Sequence, residues 1–311
     1  MRIVFMGTPE FAVPSLRALL DAGYEVVGAF TQPDRPAGRG KKVIACPVKR
    51  LAEARGVPVF QPERIKRADG LEMLKALSPD LCVTAAFGQL LSKENLAVPK
   101  LGTVNVHASL LPRHRGAAPI NWAILLGDRV TGVTTMFTDE GLDTGDMILK
   151  AETEIGAQES AGELTQRLSA LGARVLIDTL RAIEAGNCPR ERQDASLASY
   201  EPLLTKEMGR MDFHKPPEEL ALKARALDPW PGAFAMLPEG PLKVWRAKAT
   251  EGDWRGVPGQ VVAADAKRGL IVMCGQGALE LTEIQAPNAK RMDARAYLRG
   301  KAIQEGLVLN G

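Results

Sequence analysis

The chain has 311 residues, of which 45% are hydrophobic and 25% are charged, and its formal net charge is +3. These values exclude a disordered chain and favour a globular protein of about two domains. So weak a charge does not by itself indicate nucleic acid binding. We see no run of the ~18 apolar residues that a membrane span needs and no signal peptide pattern, so we expect a soluble, cytoplasmic protein without membrane association.

The four cysteines are Cys46, Cys82, Cys188 and Cys274, and their wide spacing favours neither a disulfide framework nor a zinc site. No cluster of His, Asp and Glu has ligand spacing either, so we predict no metal. The first predicted turn, which begins at Gly7, lacks the GxGxxG spacing. A dinucleotide site is therefore disfavoured.

Short apolar strands alternate with amphipathic helices over the first 187 residues or so. The predicted strands are 2–6, 25–31, 80–87, 103–107, 131–137 and 147–155, and the predicted helices are 10–22, 47–56, 117–126 and 160–185. Such alternation predicts an α/β fold with a doubly wound, mostly parallel sheet that binds ligands at the carboxyl ends of its strands.

Periodicity fades near residue 187, and we predict domains at 1–189 and 207–311 joined by a linker at 190–206. A helix is predicted at 216–227. Strands follow at 242–248, 259–263, 269–274 and 278–285, with a bulge between Leu281 and Ile284. Several short strands at this spacing favour a small barrel or sandwich, for which an OB-like barrel is one candidate.

Two polar side chains share one face of the predicted strand 103–107. Alternation places Asn105 and His107 on one side and Val104 and Val106 on the other, with the two polar residues about 7 Å apart at Cα. At a cleft, this amide and this imidazole can flank one reacting carbonyl, and Asp143 can orient the ring. The alternative is that Asn105 and His107 are core polar residues and Asp143 a turn residue.

A basic segment lies between Asp34 and Arg50, with Asp34 as its single acid. Its basic residues are Arg35, Arg39, Lys41, Lys42, Lys49 and Arg50. Because the segment also contains several Pro and Gly residues, we predict an irregular, mobile loop that is available to phosphate groups. A merely solvated loop is the alternative.

Several motifs occur in one order along the chain. They are the opening 5–11, Asn105-Val106-His107, Ser109-Leu110-Leu111-Pro112 and the segment 141–146 around Asp143. With them the chain resembles the folate-dependent formyltransferases over essentially its whole length. The segment 32–42 is similar to an insert of the tRNA-directed branch.

This resemblance implies the following activity and site residues. The formyl group of 10-formyltetrahydrofolate would pass to the amino group of methionyl initiator tRNA, with catalysis by Asn105, His107 and Asp143. The folate would contact Ser109, Leu110, Leu111 and Pro112, together with Phe87, Gln89, Leu90 and Leu91. The tRNA would contact Arg35, Arg39, Lys41 and Lys42, and an OB-like second domain would hold its flank. We expect a monomer.

Four questions stay open at the level of sequence. His107 can accept a proton from the amine or donate one to the oxyanion, and Asp143 can fix the tautomer of the ring or act through a water on the leaving nitrogen. The segment 87–91 is also compatible with a strand that continues into the core. Alternative activities are formyl transfer to an aminosugar or other small amine, and hydrolysis of 10-formyltetrahydrofolate.

Overall fold

The computed structural model describes residues 1–37 and 42–309, the side chains of Ala37 and Lys42 excepted. The chain forms two compact units. The first comprises Met1–Pro119, Val130–Glu154 and Thr165–Glu201, and the second comprises Ile120–Arg129, Ile155–Leu164 and Pro202–Gly311. The predicted bounds of the domains at 1–189 and 207–311, with a linker at 190–206, stay a prediction about independent folding.

A seven-stranded sheet forms the centre of the first unit. Its strands are β1 (Arg2–Gly7), β2 (Glu25–Phe30), β5 (Val59–Phe60), β6 (Leu81–Ala85), β7 (Thr103–His107), β9 (Val130–Phe137) and β10 (Met147–Glu154). Two pairs of short strands lie outside it, β3 (Arg35–Ala37) with β4 (Lys42–Ile44) and β8 (Arg115–Gly116) with β11 (Tyr200–Glu201). The helices up to residue 184 are, in chain order, α1 (Val13–Asp21), α2 (Pro47–Ala54), α3 (Ala68–Ala76), α4 (Lys93–Leu96), α5 (Pro119–Leu125) and α6 (Ala161–Glu184). Most of α5 and the first residues of α6 belong to the second unit.

The strand order of the sheet is β10-β9-β7-β6-β1-β2-β5. The strands from β5 to β7 run parallel, and β9 and β10 are antiparallel to their neighbours. The chain builds outward from β1 through β2 to β5 on one side and through β6 to β7 on the other, as in a doubly wound sheet. The predicted α/β class with a mostly parallel sheet is thereby confirmed.

Burial explains why β1 lies at the centre of this sheet. Ile3, Val4, Phe5 and Met6 are all buried, so both faces of the strand are covered. Continuous apolar runs of this kind are typical of central parallel strands, whereas a strand with one wet face alternates.

The packing of α6 fixes which face of β7 is free for chemistry. A Cβ atom added at Gly172 of α6 would lie 2.8 Å from Cγ1 of Val106 and 3.5 Å from Cγ1 of Val133. The helix therefore covers the valine face of β7. Asn105 and His107 lie on the other face, as the alternation predicts.

The basic segment contains a short hairpin. Arg35 pairs with Ile44 and Pro36 with Val43 in an antiparallel register, and α2 begins soon afterwards at Pro47. The prediction of irregular structure was therefore wrong for 35–37 and 42–44. Alternation over only three residues on each side is too short a signal to stand out among Pro and Gly residues.

An antiparallel sheet and two short helices form most of the second unit. The strands are β12 (Ala233–Leu237), β13 (Gly240–Thr250), β14 (Val261–Asp265), β15 (Gly269–Met273), β16 (Ala278–Gln285) and β17 (Met292–Asp293), and the helices are α7 (Pro217–Ala226) and α8 (Ala294–Leu298). The register of β13 against β16 shifts around Trp245 and Arg246, opposite Thr282, which accounts for the predicted irregularity between Leu281 and Ile284.

Pairing in this sheet follows the order β12-β13-β16-β15-β14, with β17 added to β16. Among the described residues this path is open, since no pairing joins β12 to β14. Closure into an OB-like barrel therefore stays a prediction. One side of the sheet packs on a core that includes Leu242, Val272 and Leu281 together with Leu220 of α7.

Candidate active site

The carboxyl end of β7 carries two polar side chains on one face. His107 is buried, with 6% of its surface exposed, and Asn105 is half-buried. In the parallel pairing of β6 with β7, Thr84 lies opposite Asn105. Ligands of doubly wound folds bind at such strand ends, so the geometry suits a reaction site.

Asp143 approaches both of these side chains from the loop that precedes β10. Its Oδ1 lies 3.4 Å from Nδ2 of Asn105 and 3.7 Å from Nδ1 of His107, and its Oδ2 accepts a 2.9 Å hydrogen bond from the N–H of Gly116. The structure thus brings the three predicted catalytic residues together around one point, rather than distributing them as separate core and turn residues.

The tautomer of His107 is set by a residue other than Asp143. Nε2 of His107 lies 2.9 Å from the main-chain oxygen of His114. A carbonyl only accepts, so Nε2 carries the proton, and in the neutral ring Nδ1 is left with a lone pair that faces Asp143. The 3.7 Å separation of Nδ1 and Oδ1 is too long for a hydrogen bond. Asp143 therefore does not fix the tautomer by a direct bond, contrary to one of the sequence-based expectations.

Thr84 fixes the orientation of the Asn105 amide. The Thr84 hydroxyl donates to Oδ1 of Asn105 at 3.0 Å, which turns Nδ2 toward Asp143. The reverse orientation would place Oδ1 against a carboxylate, and two acceptors repel each other. An amide nitrogen carries two N–H donors, and the contact with Asp143 uses one of them.

The predicted folate segment 109–112 forms a tight turn after β7. The buried hydroxyl of Ser109 donates to the main-chain oxygen of Arg113 at 2.7 Å, and Leu111 packs in a small core with Met136 and Met147. Leu110 and Pro112 are half-buried. Of these four residues, Leu110 and Pro112 are therefore the ones that present side-chain surface.

The other predicted folate segment follows β6. The side chain of Phe87 is buried in the core beside Val4, so the reading of a strand end that continues into the core fits this residue. Gln89 uses both ends of its amide on the main chain, accepting from the N–H of Ile65 at 2.7 Å and donating to the oxygen of Pro62 at 3.1 Å. Leu90 is 69% exposed.

The fourth member of this segment, Leu91, is half-buried against the core that contains Phe87. Leu90 therefore offers the largest open apolar surface of the predicted folate residues.

The predicted tRNA residues fall partly outside the described residues. Arg35 is exposed at the start of the hairpin and lines a cavity of about 460 Å³ together with Arg64 and Gln89. Arg39 and Lys41 lie outside the described residues, as does the side chain of Lys42. The structure therefore describes only Arg35 among the four predicted contacts in full.

An ion pair anchors the base of the hairpin. Asp34 is held by Nζ of Lys49 and, at 2.9 Å, by Nε2 of Gln61. The hydrogen bond from Lys49 is the main cause that lowers the pKa of Asp34, and the bond from Gln61 adds to it. The carboxylate is therefore charged at neutral pH, which fixes the end of the basic segment.

Sequence reasoning missed four residues that support the trio. Thr84 orients Asn105, His114 binds His107, and Gln193 and Glu201 act from a segment that had been predicted as a linker. Gln193 donates to the main-chain oxygen of Asp143 at 2.9 Å, and Glu201 accepts from Nδ1 of His114 at 2.8 Å. Only Thr84 had a detectable signal, because a parallel register places it beside Asn105.

The chemical capacity of the site follows from these groups. An amide donor, an imidazole with an available lone pair and a carboxylate surround one point at the mouth of a sheet, so the site can stabilise an oxyanion and relay a proton. Among residues 1–37 and 42–309, no group of three or more His, Cys, Asp or Glu side chains is placed to hold a metal ion. Within the same ranges, the helices are too short or too polar to cross a membrane.

Sequence profiles match both halves of the chain. A profile described as formyl transferase matches residues 1–180, and one described as the C-terminal domain of formyl transferase matches residues 203–302. Two curated relatives are each named methionyl-tRNA formyltransferase. The protein from Ruminiclostridium cellulolyticum is 48% identical over 98% of this chain and 98% of its own, and that from Symbiobacterium thermophilum is 50% identical over 98% and 94%.

Solved structures share the fold at lower identity. An N-formyltransferase from Helicobacter canadensis, in complex with folinic acid and dTDP-3-aminofucose, matches with a TM-score of 0.67 and 17% identity over 93% of this chain and 99% of its own. HypX from Aquifex aeolicus with tetrahydrofolic acid matches with a TM-score of 0.62 and 19% identity over 96% of this chain and 47% of its own. With full-length relatives at this level of identity, the chain belongs to the formyl transferase family and, within it, to the methionyl-tRNA formyltransferases.

Proposed function

We propose that this protein transfers the formyl group of 10-formyltetrahydrofolate to the α-amino group of methionyl initiator tRNA, which gives N-formylmethionyl-tRNA for translation initiation. The observation that carries this function is the meeting of Asn105, His107 and Asp143 within 3.7 Å contacts at the end of β7. Relatives at 48% and 50% identity favour the tRNA acceptor over an aminosugar acceptor and over hydrolysis.

Asn105 stabilises the negative charge that develops on the formyl oxygen. When the amine attacks the formyl carbon, that oxygen becomes an oxyanion, and a preorganised amide donor is worth about 3 kcal/mol in comparable sites. Thr84 keeps the donor turned toward the reaction, since its hydroxyl occupies Oδ1 of Asn105. No reorganisation is then needed as the charge forms.

His107 acts as the base in this proposal, through Nδ1. Nε2 of His107 donates a hydrogen bond to the main-chain oxygen of His114. Nδ1 is therefore the ring nitrogen that accepts the proton lost by the attacking amine. The imidazolium that results is stabilised by the carboxylate of Asp143 at 3.7 Å. The same proton then passes to the leaving N10 nitrogen as its bond to the formyl carbon breaks, directly or through a water beside Asp143, and tetrahydrofolate and the formylated amine result.

The folate co-substrate is proposed to lie along the two segments that flank the end of the sheet. Leu90 offers an exposed apolar surface for a flat ring, and Leu110 and Pro112 offer half-buried ones. Four other residues support the walls of this site from inside the protein, because their side chains already pack or form hydrogen bonds there. They are Ser109, Leu111, Phe87 and Gln89. Leu91 supports the second segment from the core.

The hairpin of β3 and β4 is proposed to contact the tRNA. It carries exposed apolar side chains, Val43 at 64% and Ile44 at 54%, and the same stretch of sequence contains the basic residues Arg35, Arg39, Lys41 and Lys42. Cations suit phosphate groups, and exposed apolar side chains suit the face of a terminal base. The second unit is proposed to be OB-like and to hold the flank of the acceptor stem. We place the protein in the cytoplasm as a monomer.

A direct assay tests the activity. The purified protein is incubated with 10-formyltetrahydrofolate and charged initiator tRNA, and formylmethionine and free formate are both quantified. Formylmethionine in amounts that match the folate consumed is expected. Binding of both substrates without product would refute the activity, and formate released without any amine would instead identify a hydrolase. A panel of dTDP-aminosugars in place of tRNA serves as the control for a small acceptor.

A further inference from the structure

We infer, on the basis of the proposed formyl transfer, that residues 193–201 position two of the catalytic groups from outside the site. This segment is called the strap below. Gln193 holds the loop that carries Asp143, and Glu201 holds His107 through His114. Neither residue touches the reacting atoms, so both are positioning residues.

Gln193 holds the main chain of the Asp143 loop. Its amide nitrogen donates to the oxygen of Asp143 at 2.9 Å and to that of Gly145 at 2.8 Å, while its Oε1 accepts from Nε and Nη2 of Arg115 at 3.0 and 2.8 Å. Asp143 adopts a left-handed backbone with φ of 54°, which disfavours most side chains and needs such support. Both donors of this buried amide are therefore used to keep the loop in one conformation.

Glu201 acts on His107 through one intermediate residue. His114 is also left-handed, with φ of 56°, and the Ser199 hydroxyl accepts from its N–H at 2.8 Å. Oε1 of Glu201 accepts from Nδ1 of His114 at 2.8 Å and from the Ser199 hydroxyl at 2.9 Å. These bonds fix the peptide group whose carbonyl oxygen accepts the hydrogen bond from Nε2 of His107.

Strand pairing joins the two ends of this device. In the β8–β11 pair, Tyr200 lies beside Arg115 and Glu201 beside Gly116. Gly116 has φ of 108°, and a Cβ atom there would lie 2.5 Å from the main-chain oxygen of Glu201, so only glycine fits. The N–H of Gly116 in turn donates to Oδ2 of Asp143 at 2.9 Å. The strap thus positions both the carboxylate of Asp143 and the imidazole of His107.

The consequence of loosening the strap is a loss of rate rather than of binding. A displacement of about 1 Å in a catalytic group costs on the order of a hundredfold in rate. Substrate surfaces at Leu90 and at the hairpin of β3 and β4 do not depend on the strap contacts. The turnover number should therefore fall while the KM values for folate and tRNA stay within about twofold of those of the unchanged protein.

The test uses two substitutions of the full chain. Gln193→Glu keeps an acceptor for Arg115 but removes both donors to the Asp143 loop, and Glu201→Leu removes the acceptor for His114. Each is expected to lower kcat about tenfold to a hundredfold. Glu201→Gln keeps an acceptor oxygen and should restore kcat to within about threefold. Hydrogen exchange followed by mass spectrometry should show faster exchange in the loop 139–147 of Gln193→Glu.

Ser169→Ala is the matched control, because it removes a buried 2.9 Å hydrogen bond to the main-chain oxygen of Phe11 in the same unit. It should lower the melting temperature and leave kcat unchanged. The inference is overturned by kcat within twofold in both strap variants, or by a loss in Ser169→Ala as large as theirs. A wild-type protein that forms no formylmethionine would refute the proposed function instead, and the exchange of loop 139–147 would still decide whether the strap orders it.

Discussion

Two histidines that are seven residues apart, His107 and His114, each face a carboxylate, but at different distances. His114 and Glu201 meet at 2.8 Å, whereas His107 and Asp143 are 3.7 Å apart. Both pairs are almost fully buried, so solvent exposure does not explain the difference. The tight pair, His114 with Glu201, forms a hydrogen bond that fixes a peptide group. In the wide pair, His107 with Asp143, Nδ1 of the neutral ring presents its free electrons to the carboxylate without a hydrogen bond.

Histidine therefore has two different roles in this protein. A buried pair in hydrogen-bond contact contributes to stability and position, while a pair held just beyond contact leaves a ring nitrogen that can accept a proton from a substrate. In this protein the tight pair is part of what enforces the wide one, through the carbonyl of His114.

Removal of the wide pair's imidazole should have the largest effect. His107→Ala deletes the proton acceptor and is expected to lower kcat by about a hundredfold to ten-thousandfold, which steady-state formylation assays measure. His214 offers the control, since it is exposed and bonded to Asp212. Equal losses in His107→Ala and His214→Ala would break the distinction between the catalytic ring and the other histidines.

Stability should respond in the opposite way. Glu201→Leu leaves Nδ1 of the buried His114 without its acceptor and is expected to reduce the free energy of unfolding by about 2 kcal/mol. Asp143→Asn keeps an acceptor for Gly116 and should cost about 1 kcal/mol or less. All four tryptophans lie in the second unit, so their fluorescence would report mainly on that unit. Denaturation is therefore followed by circular dichroism. A larger loss in Asp143→Asn than in Glu201→Leu would contradict this assignment.

The basic hairpin provides a contrast in kinetics, since it is proposed to bind substrate and not to position the trio. Arg39→Ala should raise the KM for tRNA about tenfold, or ~1.4 kcal/mol, and leave the KM for folate unchanged. The slope of log affinity for tRNA against log salt should fall by about 0.7 to 0.9. Arg55→Ala, which removes an exposed cation paired with Asp21, is the matched control. Equal effects on both KM values would remove the hairpin from the tRNA site.

The smallest expected effect concerns the ion pair of Asp34 and Lys49. The folded protein lowers the pKa of Asp34, chiefly through the Lys49 hydrogen bond, so this bond stabilises the fold above the ordinary pKa and is lost as pH falls through the lowered value. Asp34→Asn should therefore lower the urea midpoint at pH 7, and its difference from the unchanged protein should shrink as the pH falls below the ordinary pKa of 3.8. A difference that grows on acidification would reverse the sign of this contribution.

The sequence predicted the main sheet because its signals are local. Alternation in 103–107 placed Asn105 and His107 on one face, and the apolar run within 2–6 predicted a strand. The order of motifs then supplied Asp143 through family resemblance. These features depend on neighbouring residues or on a known pattern, and both can be seen in one sequence.

The strap could not be predicted by the same means. The pairing strands β8 and β11 have two residues each, too few for any periodicity, and Arg115 and Tyr200 are 85 residues apart. Polar residues such as Gln193 and Glu201 are common in linkers, and only the fold shows that they are buried. Thr84 was within reach, because a parallel register with β7 places it beside Asn105.

The protonation of the His107 ring is the sharpest test of the proposed role of Nδ1 as the base. The chain has only three histidines, so ¹⁵N-labelled histidine gives a spectrum in which each ring can be assigned by substitution. Neutral His107 is expected to carry its proton on Nε2, bonded to the main-chain oxygen of His114, and to present an unprotonated Nδ1 toward Asp143. A neutral ring with its proton on Nδ1 would contradict this role.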